Sequence, residues 1–228
     1  MMKRKQAKRS MIGVTISQGL LVAAGAAGLP AAASAQKTGP HEESSAVYVA
    51  RLSALNTTVT GHPATGEVRF TIKGDSLTIA VSASGLSKDM THWQHFHGFT
   101  DGRQSSCPGR SADANGDGII DVTETAPMAG TTMVPFSSDP VSMDVPHGTY
   151  PTASATGTLR YRVTVSLSAL QEAFAKAFPG QQLDLARRVV FIHGVPPATK
   201  LPATVASLGS IPAQVTLPIA CGKIARKM

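Results

Sequence analysis

Hydrophobic and polar positions alternate with a period of two through much of the chain after residue 45. Val68, Phe70 and Ile72 are separated by Arg69 and Thr71, and Leu77, Ile79 and Val81 by Thr78 and Ala80. Gly74-Asp75 stands between the two runs and predicts a tight hairpin. Leu159, Tyr161, Val163 and Val165 alternate in the same way with Arg160, Arg162 and Thr164. Such alternation marks strands with one face buried and one wet. Val47, Val49, Leu52 and Leu55 predict an earlier strand with one irregularity. Shorter strands are predicted over 92–99, 131–134 and 188–194, with Pro135 ending the second of them. A last strand is read over 213–224, at a sheet edge or bulged because Pro218 interrupts it. The Ser-, Asp-, Pro- and Gly-rich stretch 137–151 and the proline-rich stretch 196–212 read as loops. One helix breaks the pattern. Ser168 and Gln171 form a capping box, Leu170, Phe174 and Phe178 share a face, and Pro179-Gly180 stops it. Many short strands with one short helix predict an all-β fold, a β-sandwich.

The first 35 residues follow another rule. A basic head (Lys3, Arg4, Lys5, Lys8, Arg9) precedes an apolar run from Met11 to Leu29, and Ala33-Ser34-Ala35 follows. These are the parts of a secretory signal peptide cleaved after Ala35. The alternative is an uncleaved anchor, which Ser17, Gln18 and several glycines would make a weak inserter. Residues 36–228 are then one exported domain, periplasmic or extracellular, with a polar tail over 37–45. Export changes the charge argument. The chain has 21 Lys and Arg and 14 Asp and Glu, but the leader holds five of the basic residues and no acidic one. The remainder, 16 against 14, carries only +2 and no nucleic-acid footprint. The two cysteines of an exported chain read as one disulfide, Cys107 to Cys221, with two buried free thiols as the alternative.

One twelve-residue stretch carries a metal-loop pattern. Residues 113–124 place Asp113, Asn115 and Asp117 where side-chain oxygens are needed, Gly118 at the sharp turn and Ile119 where a carbonyl binds. Asp121 and Glu124 complete the pattern, Glu124 with both oxygens. Calcium takes six to eight hard oxygens, and this string supplies them; the alternative is a solvated acidic turn. Pro108-Gly109 before it and Pro127 after it leave little room for the flanking helices of an EF-hand. The loop is therefore read as a single structural calcium site and not as a switch.

Histidines supply a second candidate. His95 and His97 are two apart, which on a strand puts both rings on one face. His193 lies on another predicted strand and shares a face with Val189 and Phe191. Three converging imidazoles suit zinc or copper and leave one coordination position open. Hydrogen-bonded structural histidines are the alternative, and His92 and His147 are candidate fourth ligands.

The segment His95-Phe96-His97-Gly98-Phe99-Thr100-Asp101 followed by Cys107 resembles the part of copper–zinc superoxide dismutases where two copper histidines precede the disulfide cysteine. Arg188 to His193 resembles their later copper-histidine strand, and Leu217 to Ile224 their terminal strand with the second cysteine. The stretch from Thr65-Gly66-Glu67 to Gly85-Leu86, with the His-x-His-Gly after it, is similar to the related CHRD domains. The resemblance implies a Greek-key β-sandwich, copper at His95, His97 and His193, and the Cys107–Cys221 bond. The chain departs from the dismutases in three places. The loop after the first cysteine holds the calcium pattern in place of the bridging histidine and zinc ligands. The anion-guiding arginine aligns near Pro218, and Gly194-Val195-Pro196-Pro197 replaces an acidic segment. Together these predict calcium and copper binding without strong catalysis, the alternative being a copper-only superoxide dismutase.

Overall fold

The computed structural model describes residues 45–228. The leader expected over 1–35 and the residues from 36 to 44 lie outside the described residues.

Eight strands form one curled antiparallel sheet: β1 (Ser45–Ala54), β2 (Thr65–Lys73), β3 (Ser76–Ser84), β4 (Gln94–Gly98), β5 (Thr131–Pro135), β6 (Leu159–Ser166), β7 (Val189–His193) and β8 (Pro218–Arg226). Their spatial order is β5-β4-β7-β8-β1-β2-β3-β6. Four short helices accompany them: α1 (Thr57–Thr60), α2 (Val122–Ala129), α3 (Leu167–Ala177) and α4 (Ala213–Thr216). The expected all-β fold is what forms. The two-residue Gly74-Asp75 turn joins β2 to β3 in full register, with Gly74 at φ 54°. Glycine takes this left-handed conformation at no steric cost.

One core lies inside the curl. Phe70, Leu77, Ile79 and Leu159 from one half of the sheet meet Phe96, Val190, Ile192 and Ile224 from the other. Phe136 links them, 5.7 Å from Phe70 and 6.3 Å from Phe96 between ring centroids. Helix α3 closes the core with Leu170 and Phe174, as its spacing predicts.

The structure corrects four local expectations. In β1 the buried face is Tyr48, Ala50 and Leu52, not the valines. The strand is regular, and small Ala50 was no hydrophobic signal. Helix α3 is capped by Ser166, whose hydroxyl accepts from Ala169 N. Ser168 instead donates its backbone N–H to Asp75, so the tertiary partner overrides the local capping box. Residues 213–216 form a helical turn, so the last strand begins at Pro218, where the missing N–H costs the ladder least. That strand pairs with β7 and β1 on its two sides, so it is central and not an edge; the expected bulge is present opposite His193. Finally, a short helix, α2, starts at Val122 inside the 113–124 stretch and ends at Ala129, two residues past Pro127. The Asp121–Glu124 capping box holds its start, and that offsets the one hydrogen bond the proline removes.

Cys107 and Cys221 are bonded, tying the segment before the 113–124 loop to the central strand β8. No helix among the described residues is long and apolar enough to cross a membrane. The bond closes 114 residues of chain, so a Cys107→Ser/Cys221→Ser variant should lose about 4–5 kcal/mol in denaturant unfolding. An unchanged midpoint would show that the bond stabilises nothing.

Candidate metal centre

Every residue of β4 is buried, but its two faces differ. Phe96 enters the main core, whereas His95 and His97 face outward beneath a covering layer. β4 pairs with β7 so that His95 stands opposite Phe191 and His97 opposite Val189. His193, two residues beyond Phe191, therefore reaches the same face. The ladders slip at Phe96/His97 and at Ile192/His193. Such irregularities re-aim side chains, and here two histidines sit at them. His95 lies 4.8 Å from His97 and 4.6 Å from His193 between ring centroids. One ligand nitrogen of each ring falls within 4.8 Å of the others, and His95 Nδ1 faces His97 Nε2 at 3.0 Å.

The hydrogen bonds assign the lone pairs. His193 Nδ1 donates to the carbonyl of Thr216 at 2.7 Å, so its Nε2 carries a lone pair. That Nε2 is buried and has no partner. His97 Nδ1 donates to Gly130 O at 3.4 Å, and Thr132 Oγ1 lies 3.2 Å from its Nε2. All three rings are neutral bases. Burial, then repulsion from His193, brings His97 down to about 3. Burial alone outweighs the Thr216 bond and takes His193 down to about 4. Burial and its two neighbours hold His95 well below the ordinary histidine range. An unpaired buried nitrogen is costly unless something accepts its lone pair. A metal ion does so, and the backbone carbonyls behind His97 and His193 are the outer partners that fix ligating tautomers. The arrangement can hold a metal ion. Beside His95 and His193 lies a cavity of about 20 Å³, lined also by Trp93, Val122 and Thr132. That is space for one water.

The other two candidate histidines are elsewhere. His92 is buried with its ring nitrogens 3.0 Å from His193 O and 3.2 Å from Ser87 O, so it braces the backbone behind a candidate ligand. His147 is exposed and pairs with Asp144.

The 113–124 loop is folded around its own backbone. Asp113 accepts from Gly116, Asp117 and Gly118 N–H groups, and Asn115 from that of Asp117. Asp117 accepts from Ile119 N and from the Thr204 hydroxyl, which is the main cause of its lowered pKa. Asp121 caps α2 with one oxygen and accepts from Ala206 N with the other. Glu124 accepts from Ala114, Asn115 and Asp121 N–H groups. The Ile119 side chain enters the core. Among the described residues, the histidine trio is the cluster of three or more His, Cys, Asp or Glu side chains whose ligand atoms converge. Asn56, in left-handed backbone at φ 53°, pins the loop to the sheet. Its amide donates to Ile120 O and Pro218 O and accepts from Ile120 N. Asn56, Thr132 and the carbonyls of Gly130 and Thr216 escaped sequence reasoning. Only the tolerance of asparagine for left-handed backbone hinted at the first.

Comparison with protein-family models and with curated protein sequences gives no match to this chain.

The neutral rings predict a pH dependence for the metal-free protein. A base whose folded pKa is depressed contributes full stability above its unfolded value, 6.5 for histidine, and loses it as pH falls toward the folded value. Stability should therefore fall by about 1.4 kcal/mol per pH unit for each such histidine between about pH 6 and 4. Denaturant unfolding of the wild type and of His97→Asn should show a shallower slope in the variant. Equal slopes would mean that His97 is not buried as a neutral base.

Proposed function

We propose that this chain is an exported protein that binds copper at His95, His97 and His193 and calcium in the 113–124 loop. It is a β-sandwich of superoxide-dismutase-like or CHRD-like type without fast catalysis. The observation that carries the copper site is the lone pair of His193 Nε2, buried without a partner beside two other neutral imidazoles. A nitrogen-only donor set of this kind suits copper or zinc and excludes the hard cations. The Cys107–Cys221 bond supports export, since structural disulfides persist in oxidising compartments. For calcium, the support is the ligand pattern from Asp113 to Glu124 around Gly118, which takes φ 82° at the turn.

The second reading is a copper-only superoxide dismutase. Bound copper would supply a one-electron redox couple. The room for one small molecule beside His95 and His193 favours this reading. Against it, the cavity lining has no side chain of fixed charge: its non-histidine members are Trp93, Val122, Thr132, Val145, Leu208 and Thr216. Nothing there draws in a small anion.

Copper(II) should bind with one-to-one stoichiometry and raise the melting temperature, and His193→Ala should remove the rise. Dismutase turnover of the copper-loaded protein should lie far below the diffusional ceiling of about 10⁸–10⁹ M⁻¹s⁻¹. Turnover near that ceiling would favour the second reading, and an unchanged melting temperature would sink both. Calcium at 100 dissociation constants should stabilise by about 2.7 kcal/mol over chelator, a gain lost in Glu124→Gln. Equal stability in calcium and chelator would remove calcium from the proposal.

A further inference from the structure

The outer face of β1, β2, β3 and β6 is the half of the sheet without histidines, and its charges are mostly basic. The register places Arg51 beside Glu67, Glu67 beside Ser82 and Ser82 beside Arg160 in one row. In the next row Arg69 stands beside Ala80, and Ala80 beside Arg162. Small residues of β3 thus form a floor between arginines on both sides. The resulting groove encloses about 430 Å³. Strands lie about 4.8 Å apart, so the Glu67–Arg69 wall on β2 and the arginine wall on β6 stand about 10 Å from each other. Tyr161 is turned away, its hydroxyl bonded to Ser137 O.

The charge of this face is concentrated. The described residues hold fifteen Lys and Arg against twelve Asp and Glu, an excess of three. On this face Arg51, Arg69, Lys73, Arg160 and Arg162 stand against the single Glu67. Glu67 is engaged with Arg69 at 2.8 Å. Arg160 and Arg162 are exposed and make no ion pair among the described residues. Two unpaired arginines on one wall, facing a small-residue floor, are a receptor for anionic groups.

We propose that this groove binds an extended acidic peptide segment of a partner protein, laid along β3 with its carboxylates on Arg160 and Arg162. Spacing selects a peptide. Arg160 and Arg162 repeat about every 7 Å along β6, the repeat at which an extended peptide presents alternate side chains to one side. Guanidinium groups take carboxylates through two parallel hydrogen bonds. Tyr161, the aromatic residue of the lining, packs against the core and bonds Ser137 O, so it offers no ring to stack a base, which disfavours a nucleic acid. The exposed large apolar side chains among the described residues, Leu208 and Met228, lie outside these strands, so nothing on them enters a bilayer.

The test is fluorescence anisotropy of the purified protein with a labelled ten-residue peptide of alternating Glu and Ser. The peptide should bind, more weakly as salt rises, and the corresponding Lys-Ser peptide should not. Arg160→Ala/Arg162→Ala should weaken binding by about tenfold, as should Ala80→Glu, which sets an anion in the floor. The melting temperatures of both variants confirm that they fold, and a Lys200→Ala control outside the groove should bind as wild type does. Equal binding by wild type and both folded variants would overturn the site. Tighter binding of a single-stranded oligonucleotide or of anionic vesicles, lost in the same variants, would overturn the peptide as its occupant.

Discussion

Three imidazoles buried side by side as neutral bases are the constraint on which the rest of the site depends. Water is nearly excluded from them, with exposures of 2–3%. Each ring must therefore find protein partners for its polar atoms or bear the cost of losing them. Backbone carbonyls from two separate segments, Gly130 and Thr216, satisfy one nitrogen each of His97 and His193. What remains is the close contact of His95 Nδ1 with His97 Nε2 and, beside it, His193 Nε2, which has no partner. The energetic tension is local, and it points to a ligand that accepts electron pairs.

The fold meets this constraint by separating its two faces. The inner face of the curled sheet holds an ordinary apolar core, which frees the outer face of β4, β7 and β8 for chemistry. A second, small cluster of Ala129, Val189, Phe191 and Cys221 seals that outer face below the histidines. The disulfide anchors the covering segment at Cys221. Helix α2 then runs from the capping box at Asp121 and Glu124 to Gly130, whose carbonyl orients His97. The same Asp121 reaches Ala206 N, and Asp117 reaches Thr204, so the 113–124 loop also holds the 204–206 segment. The carboxylates of the loop thus organise the cover of the histidine site.

Much of this was readable from residue types and spacing. Period-two runs located β2, β3 and β6, and the two-residue spacing of His95 and His97 put both rings on one face. The convergence of His193 required its strand to lie beside theirs, which the β4–β7 pairing provides. Less was readable where long-range contacts decide. The cap of α3 moved to Ser166 because Asp75, far away in sequence, takes the Ser168 N–H. β8 became a central strand because a single proline at its first residue costs no ladder bond there. Arg188 read as part of an apolar strand, yet it is a fully buried cation bonded to the carbonyls of Gln182, Leu183 and Phe99. No local pattern announces backbone acceptors supplied by three other positions in a loop and a strand end.

The central claim is that these three imidazoles together are a copper ligand set. X-ray absorption at the copper edge, on purified protein loaded with one equivalent, tests it most directly. Copper is predicted to show about three nitrogen neighbours near 2.0 Å with the multiple-scattering signature of imidazole, and His193→Ala to lose one of them. A first shell of oxygen alone, or a spectrum that His193→Ala leaves unchanged, would contradict the account.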